Sequence, residues 1–134
     1  MSKKKLQFKI IPSQRKAPET RGFSFKYLQT QNEKFSICDR DANYFAAFLE
    51  RLRDLSTLTA QEVKMNRSQS LRCHPIKWRE TTEPNGFGIP NEKELVTIPY
   101  QFSLSTNEHG RVHGFFIEDV FYIVWLDPNH NLYQ

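Results

Sequence analysis

Apolar residues recur at intervals of three and four along residues 41 to 56, with polar residues between them. The apolar set is Tyr44, Phe45, Phe48, Leu49, Leu52 and Leu55. This spacing forms one apolar stripe, so the sequence predicts an amphipathic helix with Asp39 or Asp41 as its N-cap. The motif Thr59-Ala-Gln-Glu62 matches a capping box, which predicts a second, shorter helix from 60 to about 66.

Aromatic and alternating segments before the helices predict extended structure. Leu6, Phe8 and Ile10 alternate with polar neighbours, which predicts a first strand with one solvent-exposed face. Residues 22 to 30 and 34 to 39 are rich in aromatic and β-branched residues and flank a polar tetrad, which predicts a hairpin.

The chain after the helices contains extended segments separated by a long loop. Residues 71 to 78 are predicted to be an edge strand, because Pro75 offers no N–H to a neighbouring strand. Residues 80 to 95 contain two prolines and two glycines, which predicts a long loop. Residues 96 to 104 alternate cleanly and predict a long strand. We therefore expect an α+β fold, with two helices packed on a twisted, mostly antiparallel sheet.

The closing segment, residues 111 to 133, is predicted to be a hairpin followed by a tight turn. Its arms, 112 to 117 and 120 to 126, are joined by Glu118 and Asp119. The second arm is apolar on both faces, which predicts a strand in the interior of the sheet.

The register of this hairpin predicts a cluster of polar side chains. With the turn at 118 and 119, Arg111 is expected to face Leu126. Residues 127 to 130, Asp-Pro-Asn-His, match a type I β-turn at the end of the neighbouring arm. Arg111 should therefore lie within one or two residues of Asp127 and His130.

Four residues here could carry chemistry, with Tyr133 close behind: Arg111, His113, Asp127 and His130. Cleavage of a phosphodiester by the 2′-hydroxyl of RNA needs a base, a cation and an acid. Arginine binds phosphate oxygens in pairs, and His130 or His113 suits proton transfer near neutral pH. No metal or other cofactor is needed, so none is expected. Alternatively, Asp127 only caps its own turn and His130 only fills a turn position.

Further nucleic-acid contacts are expected from Lys77 and Arg79, with His113 as a third candidate. On an extended segment Lys77 and Arg79 project from one side and His74 from the other. His74 therefore joins the same site only if the strand breaks at Pro75.

Length and composition are those of a globular protein. The 134 residues are 38% hydrophobic and 13% aromatic, which suits a single domain over 1 to 134 with a basic tail at 1 to 5. No apolar run of signal-peptide length follows the start, and no segment is long enough to span a bilayer. A cytoplasmic protein without membrane contacts is expected.

Charge is distributed unevenly along the chain. Residues 1 to 35 hold nine Lys and Arg against two acids, residues 36 to 79 hold eight against five, and residues 80 to 134 hold two against eight. A basic surface attracts phosphate backbones or acidic proteins. The N-terminal half is thus a candidate surface for either partner.

The chain resembles the RelE/ParE superfamily of small bacterial toxins. The resemblance rests on the order of strand, helix pair and C-terminal antiparallel strands, ending in an arginine strand, a buried strand and the tail His130-Asn131-Leu132-Tyr133. Many RelE members are ribosome-dependent mRNA endonucleases, and ParE members poison gyrase. The resemblance implies an α+β domain and an antitoxin as partner. It also implies phosphate contacts from Arg111, Lys77 and Arg79, and proton transfer by His130 or Tyr133.

The leading hypothesis is a toxin-like endoribonuclease that cleaves mRNA, free or on the ribosome, without a metal. One alternative is a non-enzymatic interaction protein that binds nucleic acid or an acidic protein through its basic N-terminal half. Another is a gyrase-directed inhibitor, which needs neither histidine. Convergence of Arg111, His130 and Tyr133 in one concave site favours the nuclease, and their separation favours an interaction protein.

Overall fold

The computed structural model describes residues 22 to 133. The helices and strands of this part are β1 (Gly22–Ser24), α1 (Ala42–Leu55), α2 (Ala60–Met65), β2 (His74–Pro75), α3 (Glu92–Leu95), β3 (Pro99–Ser103), β4 (Arg111–Ile117) and β5 (Val120–Asp127). A single 3₁₀ turn, Trp78–Glu80, follows β2. The strand predicted at 6 to 10 and the basic tail at 1 to 5 lie outside the described residues. Between residues 22 and 133, no helix is both long and apolar enough to cross a membrane.

Helix α1 confirms the prediction from the apolar spacing. Asp41 is its N-cap, and the Asp41 carboxylate accepts a hydrogen bond from the backbone N–H of Tyr44 at 3.1 Å. The buried face carries Tyr44, Phe48, Leu52 and Leu55, whereas Leu49 is exposed. Burial of this face, more than intrinsic propensity, stabilises the helix.

Helix α2 begins with the predicted capping box. The Thr59 hydroxyl accepts the N–H of Glu62 at 3.1 Å, and the Glu62 carboxylate accepts the N–H of Thr59 at 2.9 Å. Asp119, in the turn between β4 and β5, accepts the N–H of Ala60 at 2.9 Å. Three N–H groups at the start of the helix thus have acceptors, and the helix is tied to the closing hairpin.

The strands form one five-stranded sheet in the order β1-β5-β4-β3-β2. The pairs β2–β3, β3–β4 and β4–β5 are antiparallel, whereas β1 runs parallel to β5. The sheet is therefore mixed, and the α+β class is confirmed. Strand β5 has a neighbour on each side, as its two apolar faces predict.

The predicted hairpin between residues 22 to 30 and 34 to 39 is wrong. Only Gly22–Ser24 is a strand, and it pairs with residues 120 to 122 of β5. Residues 34 to 39 form turns and irregular structure instead.

Contacts with β5 explain the difference. The side-chain oxygen of Asn32 accepts the N–H groups of Lys34 and Phe35 at 2.8 and 3.3 Å, so the polar tetrad closes a local turn. Phe35 then stacks on Trp125 of β5 at a centroid distance of 4.4 Å. The indole N–H of Trp125 also donates to the side chain of Gln29 at 2.8 Å. Tertiary contacts therefore replace the local strand pairing that the aromatic pattern predicted.

The closing hairpin forms around the predicted two-residue turn. At its far end Arg111 faces Asp127 rather than Leu126, so the predicted register is wrong by one residue. A β-bulge opposite His113 and Gly114 accounts for the shift. His113 pairs with Trp125 and Gly114 pairs with Ile123, so β5 has one extra residue at this point. Arg111 consequently lies directly across from a carboxylate.

Both faces of the sheet are covered. One face packs against α1 and α2 through buried residues such as Phe102, Val112 and Leu126. The other is covered by irregular segments, and its buried residues are Phe35, Ile76, Phe87, Ile89, Phe115, Val124, Trp125 and Leu132. The predicted loop at 80 to 95 thus contributes core side chains and ends in α3.

Replacement of Gly114 by alanine is expected to destabilise the protein at the bulge. A Cβ at this position would lie 2.0 Å from the backbone oxygen of Tyr122 and 2.8 Å from the ring of Phe121. Since the nearest atom is backbone, β5 must shift, at a cost of about 1–3 kcal/mol in the free energy of unfolding. Urea denaturation measures this change. Gly22→Ala is the control, because its Cβ meets only Val120 at 4.0 Å; equal stability of the two variants contradicts the prediction.

Candidate functional site

Four buried polar side chains lie on the sheet face turned away from α1 and α2, and we call them the polar floor. They are Gln101, Ser103, His113 and Asp127, with exposed fractions of 5, 0, 0 and 1%. Gln101 lies opposite His113, and Arg111 lies opposite Asp127. Cross-strand partners share a face, so the end of the sheet carries polar groups where an apolar core would otherwise continue.

A cavity of about 330 Å³ lies against the polar floor, and we call it the first cavity. Its lining residues are His74, Pro75, Lys77, Glu80, Gln101, Arg111, Asp127, His130 and Tyr133. The structure therefore brings together the four residues predicted for catalysis and one of those predicted to bind nucleic acid. The lining residues as a whole come from β2, β3, β4, β5 and the segments that follow β2 and β5.

The carboxylate of Asp127 positions the C-terminal tail. One oxygen accepts the N–H of Asn131 at 2.8 Å, and the other accepts the N–H of Leu132 at 3.0 Å. The predicted turn is present, since the N–H of His130 donates to the Asp127 carbonyl at 3.3 Å. Leu132 is fully buried. Asp127 thus caps its turn and also returns the chain toward the sheet, which brings His130 and Tyr133 to the first cavity.

Tyr133 joins the tail to the segment after β2. Its hydroxyl oxygen accepts the N–H of Lys77 at 3.0 Å, and its ring meets the edge of the His74 ring at 6.4 Å. Thr82 binds the same tail, because its N–H and hydroxyl donate to the carbonyls of Leu132 and Asn131, each at 2.8 Å. The Tyr133 oxygen acts as an acceptor here, so its own hydrogen is available to a ligand in the cavity.

His74 is held by both of its ring nitrogens. Nδ1 lies 2.9 Å from the carbonyl oxygen of Pro75, which can only accept, so Nδ1 carries the hydrogen. Nε2 lies 2.9 Å from the amide nitrogen of Gln101 and accepts from it. In this neutral tautomer His74 has no free lone pair for a substrate proton, and its role is to shape the wall of the cavity.

Arg111 and His130 remain available to a ligand. The half-buried guanidinium donates to the carbonyl of Gly110 at 3.3 Å, and a guanidinium has five N–H donors. Burial, then the charge of Arg111, lower the pKa of His130, and Asp127 partly opposes this. His130 is therefore unprotonated at neutral pH and can accept a proton.

His113 does not reach the surface. Its exposed fraction is 0%, and its Nε2 lies 3.6 Å from the nearer carboxylate oxygen of Asp127. Neither ring nitrogen has a hydrogen-bond partner among residues 22 to 133. Burial, followed by the charges of Arg111, His130 and His74, lowers the pKa of His113 to about 3. The expected contact of His113 with nucleic acid is corrected accordingly, because a neutral ring beneath the site touches no substrate.

The other two basic residues predicted to contact nucleic acid lie at different places. Lys77 lines the first cavity, whereas Arg79 is exposed on the 3₁₀ turn and does not line it. The sequence predicted His74 at this site only if the strand breaks at Pro75, and β2 does end there. Gln101 was not predicted. The only sign of Gln101 in the sequence is its place among the polar residues that alternate with Tyr100 and Phe102.

Comparison of the chain with protein-family models, with curated proteins and with solved structures finds no match. Within residues 22 to 133, no group of three or more His, Cys, Asp or Glu side chains is arranged to hold a metal ion.

Replacement of Asp127 by asparagine is expected to lower the free energy of unfolding by about 1–3 kcal/mol. An amide keeps one acceptor but turns an NH₂ group toward the N–H of Asn131 or Leu132, which leaves a buried donor without an acceptor. Urea denaturation measures the loss. Asp39→Asn is the control, because Asp39 is exposed and pairs only with its neighbour Arg40. A fully stable Asp127→Asn variant contradicts the assigned role.

Proposed function

We propose that this protein is a metal-independent endoribonuclease that acts on single-stranded RNA. The observation that carries the proposal is the convergence of Arg111, His130 and Tyr133 on one cavity. Transesterification by a 2′-hydroxyl needs a cation, a base and an acid within reach of one phosphate. These three side chains supply the three groups without a cofactor.

The phosphate is bound by Arg111 and Lys77. Among the described residues, the ion pair of Asp127 is with His113 and not with the facing Arg111, and each Asp127 oxygen also accepts one backbone N–H. Arg111 therefore keeps donors for two phosphate oxygens. The Lys77 side chain adds a second positive charge at the same cavity.

His130 and Tyr133 transfer the protons. The unprotonated His130 ring accepts the proton of the 2′-hydroxyl as the 2′-oxygen attacks phosphorus. The bond from phosphorus to the 5′-oxygen breaks, and Tyr133 donates its hydroxyl proton to that oxygen. The products are a 2′,3′-cyclic phosphate and a 5′-hydroxyl, and the proton returns from His130 to Tyr133 through solvent. His130 thus acts as the general base and Tyr133 as the general acid.

A toxin role extends the proposal. The similarity to RelE-type toxins rests on an arginine strand, a buried strand and a His-x-x-Tyr tail, and these are the segments that line the first cavity. We expect mRNA, free or on the ribosome, to be the substrate, and an antitoxin protein to be the partner. Growth arrest on induction, relieved by co-expression of a small acidic protein encoded beside it, supports this role.

Induction of the protein in bacteria is expected to create new transcript 5′ ends within coding regions. Arg111→Ala should reduce this cleavage by about 10²-fold, because a transition-state donor is lost. His130→Ala should reduce it by about 10²- to 10⁴-fold, because the base is lost. Mapping of 5′ ends, with quantification of 5′-hydroxyl termini, measures both effects.

Arg53→Ala is the control for this experiment. Arg53 is exposed on α1 and pairs with Asp54, on the side of the sheet away from the first cavity. The Arg53→Ala variant should cleave RNA like the wild type. Intact transcripts in the wild-type strain, with the folded protein present, rule out the nuclease and favour the non-enzymatic interaction protein.

The acidic limb of the pH–rate profile is expected below pH 6.5, the ordinary pKa of histidine. The base must be unprotonated, so the rate falls only as the pH drops through the lowered pKa of His130. Arg72 contributes to this lowering after burial and Arg111, so Arg72→Gln should move the limb to higher pH. Initial rates on a synthetic RNA measure the shift, with Arg53→Gln as control. A limb above 6.5 in the wild type contradicts the assignment of His130.

A further inference from the structure

A second cavity, of about 570 Å³, lies beside the first. Trp78 and the segment from 84 to 99 line it, including Asn85, Asn91, Glu92, Glu94 and Thr97. The reaction proposed above uses none of these residues.

Glu92 fixes the wall of the second cavity. Its carboxylate accepts the N–H groups of Phe87 and Gly88 at 2.9 and 2.8 Å. Gly86 has a φ of +91°, which disfavours any other residue, and a Cβ there would also meet the same carboxylate. Phe87 is buried against Trp78 and anchors the loop in the core. The cavity is therefore preformed and does not depend on ordering of the loop by a ligand.

One 3₁₀ turn separates the two cavities. Lys77 and Glu80 line the first cavity, and Trp78, between them in the chain, lines the second. Pro75 lines the first and Pro99 lines the second. The N–H of Ile76, which follows β2, donates to the Pro99 carbonyl at 2.8 Å, so this hydrogen bond holds the wall between the cavities. The two cavities thus share the segment from Lys77 to Glu80 as a common wall.

The second cavity suits a base better than a phosphate. Its charged lining residues are Glu92, Glu94 and Lys93, so acids outnumber cations. Trp78 is half-buried and lines the cavity, and the amides of Asn85 and Asn91 offer both donors and acceptors. Single-stranded RNA is recognised in this way, by stacking on aromatic rings and by hydrogen bonds to base edges.

We propose that the second cavity is a subsite for an unstacked nucleobase of the same RNA whose phosphate binds Arg111. The base stacks on Trp78, and Asn85 and Glu94 bind its edge. Carboxylates accept hydrogen bonds from exocyclic amino groups, so the subsite prefers cytosine to uracil. The inference rests on the proposed function, because it names the neighbour of the nucleotide that is cleaved.

Binding of non-cleavable RNA tests the subsite separately from catalysis. The probes are 2′-O-methyl oligocytidine and oligouridine, which lack the attacking hydroxyl. The chain has two tryptophans, and Trp125 is only 2% exposed, so a change in emission on titration reports on Trp78. Oligocytidine is expected to change the emission and to bind about tenfold more tightly than oligouridine.

Two variants make the test specific. Trp78→Leu should weaken oligocytidine binding by about tenfold or more, measured by anisotropy of a labelled probe. Trp78 contacts Phe87 and Trp125, so the folding of the Trp78→Leu variant is checked by thermal denaturation. Asn85→Ala changes only the cavity lining and should weaken binding about threefold or more, through one lost hydrogen bond. Arg53→Ala is expected to bind like the wild type.

Failure of the subsite and failure of the nuclease are distinguishable. Wild-type affinity in both Trp78→Leu and Asn85→Ala, or equal affinity for the two probes, overturns the subsite and leaves the cleavage result unaffected. Absence of probe binding by the wild type also overturns the subsite. Probe binding that depends on Trp78, together with intact transcripts in cells, supports the subsite and rules out the nuclease.

Discussion

The buried carboxylate of Asp127 is the constraint on which the candidate site depends. A carboxylate that is 1% exposed is costly unless its oxygens are hydrogen-bonded, and both oxygens here bind backbone N–H groups of the tail. Those bonds set the path of the chain after β5. Leu132 enters the core as a result, and Tyr133 meets the N–H of Lys77. One side chain thereby joins the sheet, the C-terminal tail and the segment after β2.

The polar floor keeps Arg111 available to an anion. A facing carboxylate in solvent would pair with the guanidinium, but here the oxygens of Asp127 are directed to the backbone N–H groups of Asn131 and Leu132. His113 lies beneath as a neutral ring, since burial lowers its pKa to about 3, so it does not repel Arg111 strongly at neutral pH. Among residues 22 to 133 the ring nitrogens of His113 and one side-chain oxygen each of Gln101 and Ser103 have no hydrogen-bond partner, which costs stability. Such costs are concentrated at functional sites in many proteins.

Local signals in the sequence were sufficient for the helices and the closing turn. The apolar stripe of α1 and the capping box at Thr59 each act within one or two helical turns, so a single segment determines them. Long-range contacts decided the errors. Residues 22 to 39 do not form a hairpin because Phe35 and Gln29 bind Trp125, far away in the chain. The register was wrong by one residue because of a bulge, and Gly114 within a strand was the available signal.

The candidate site was predicted in part for the same reason. Arg111, Asp127 and His130 are close in the hairpin, so counting residues along its arms brings them together. His74 and Gln101 belong to other strands, and only the sheet order places them beside Arg111.

Charge along the chain is a poor guide to charge in the site. Residues 80 to 134 are acidic overall, yet Arg111 is placed beside Lys77 and close enough to Arg72 for the latter to lower its pKa, after burial. Of the acids of the same half, Glu80 and Asp127 also line the first cavity, whereas Glu92 and Glu94 line the second. Two cations, Lys77 and Arg111, and two acids therefore meet at the first cavity, whereas two acids and one cation meet at the second. Each oxygen of Asp127 accepts a backbone N–H, and Arg111 forms no ion pair with it among the described residues, so the guanidinium keeps donors for an anion. The RNA ligand proposed above fits this arrangement, because a nucleotide chain carries an anionic phosphate next to a neutral base with hydrogen-bond donors.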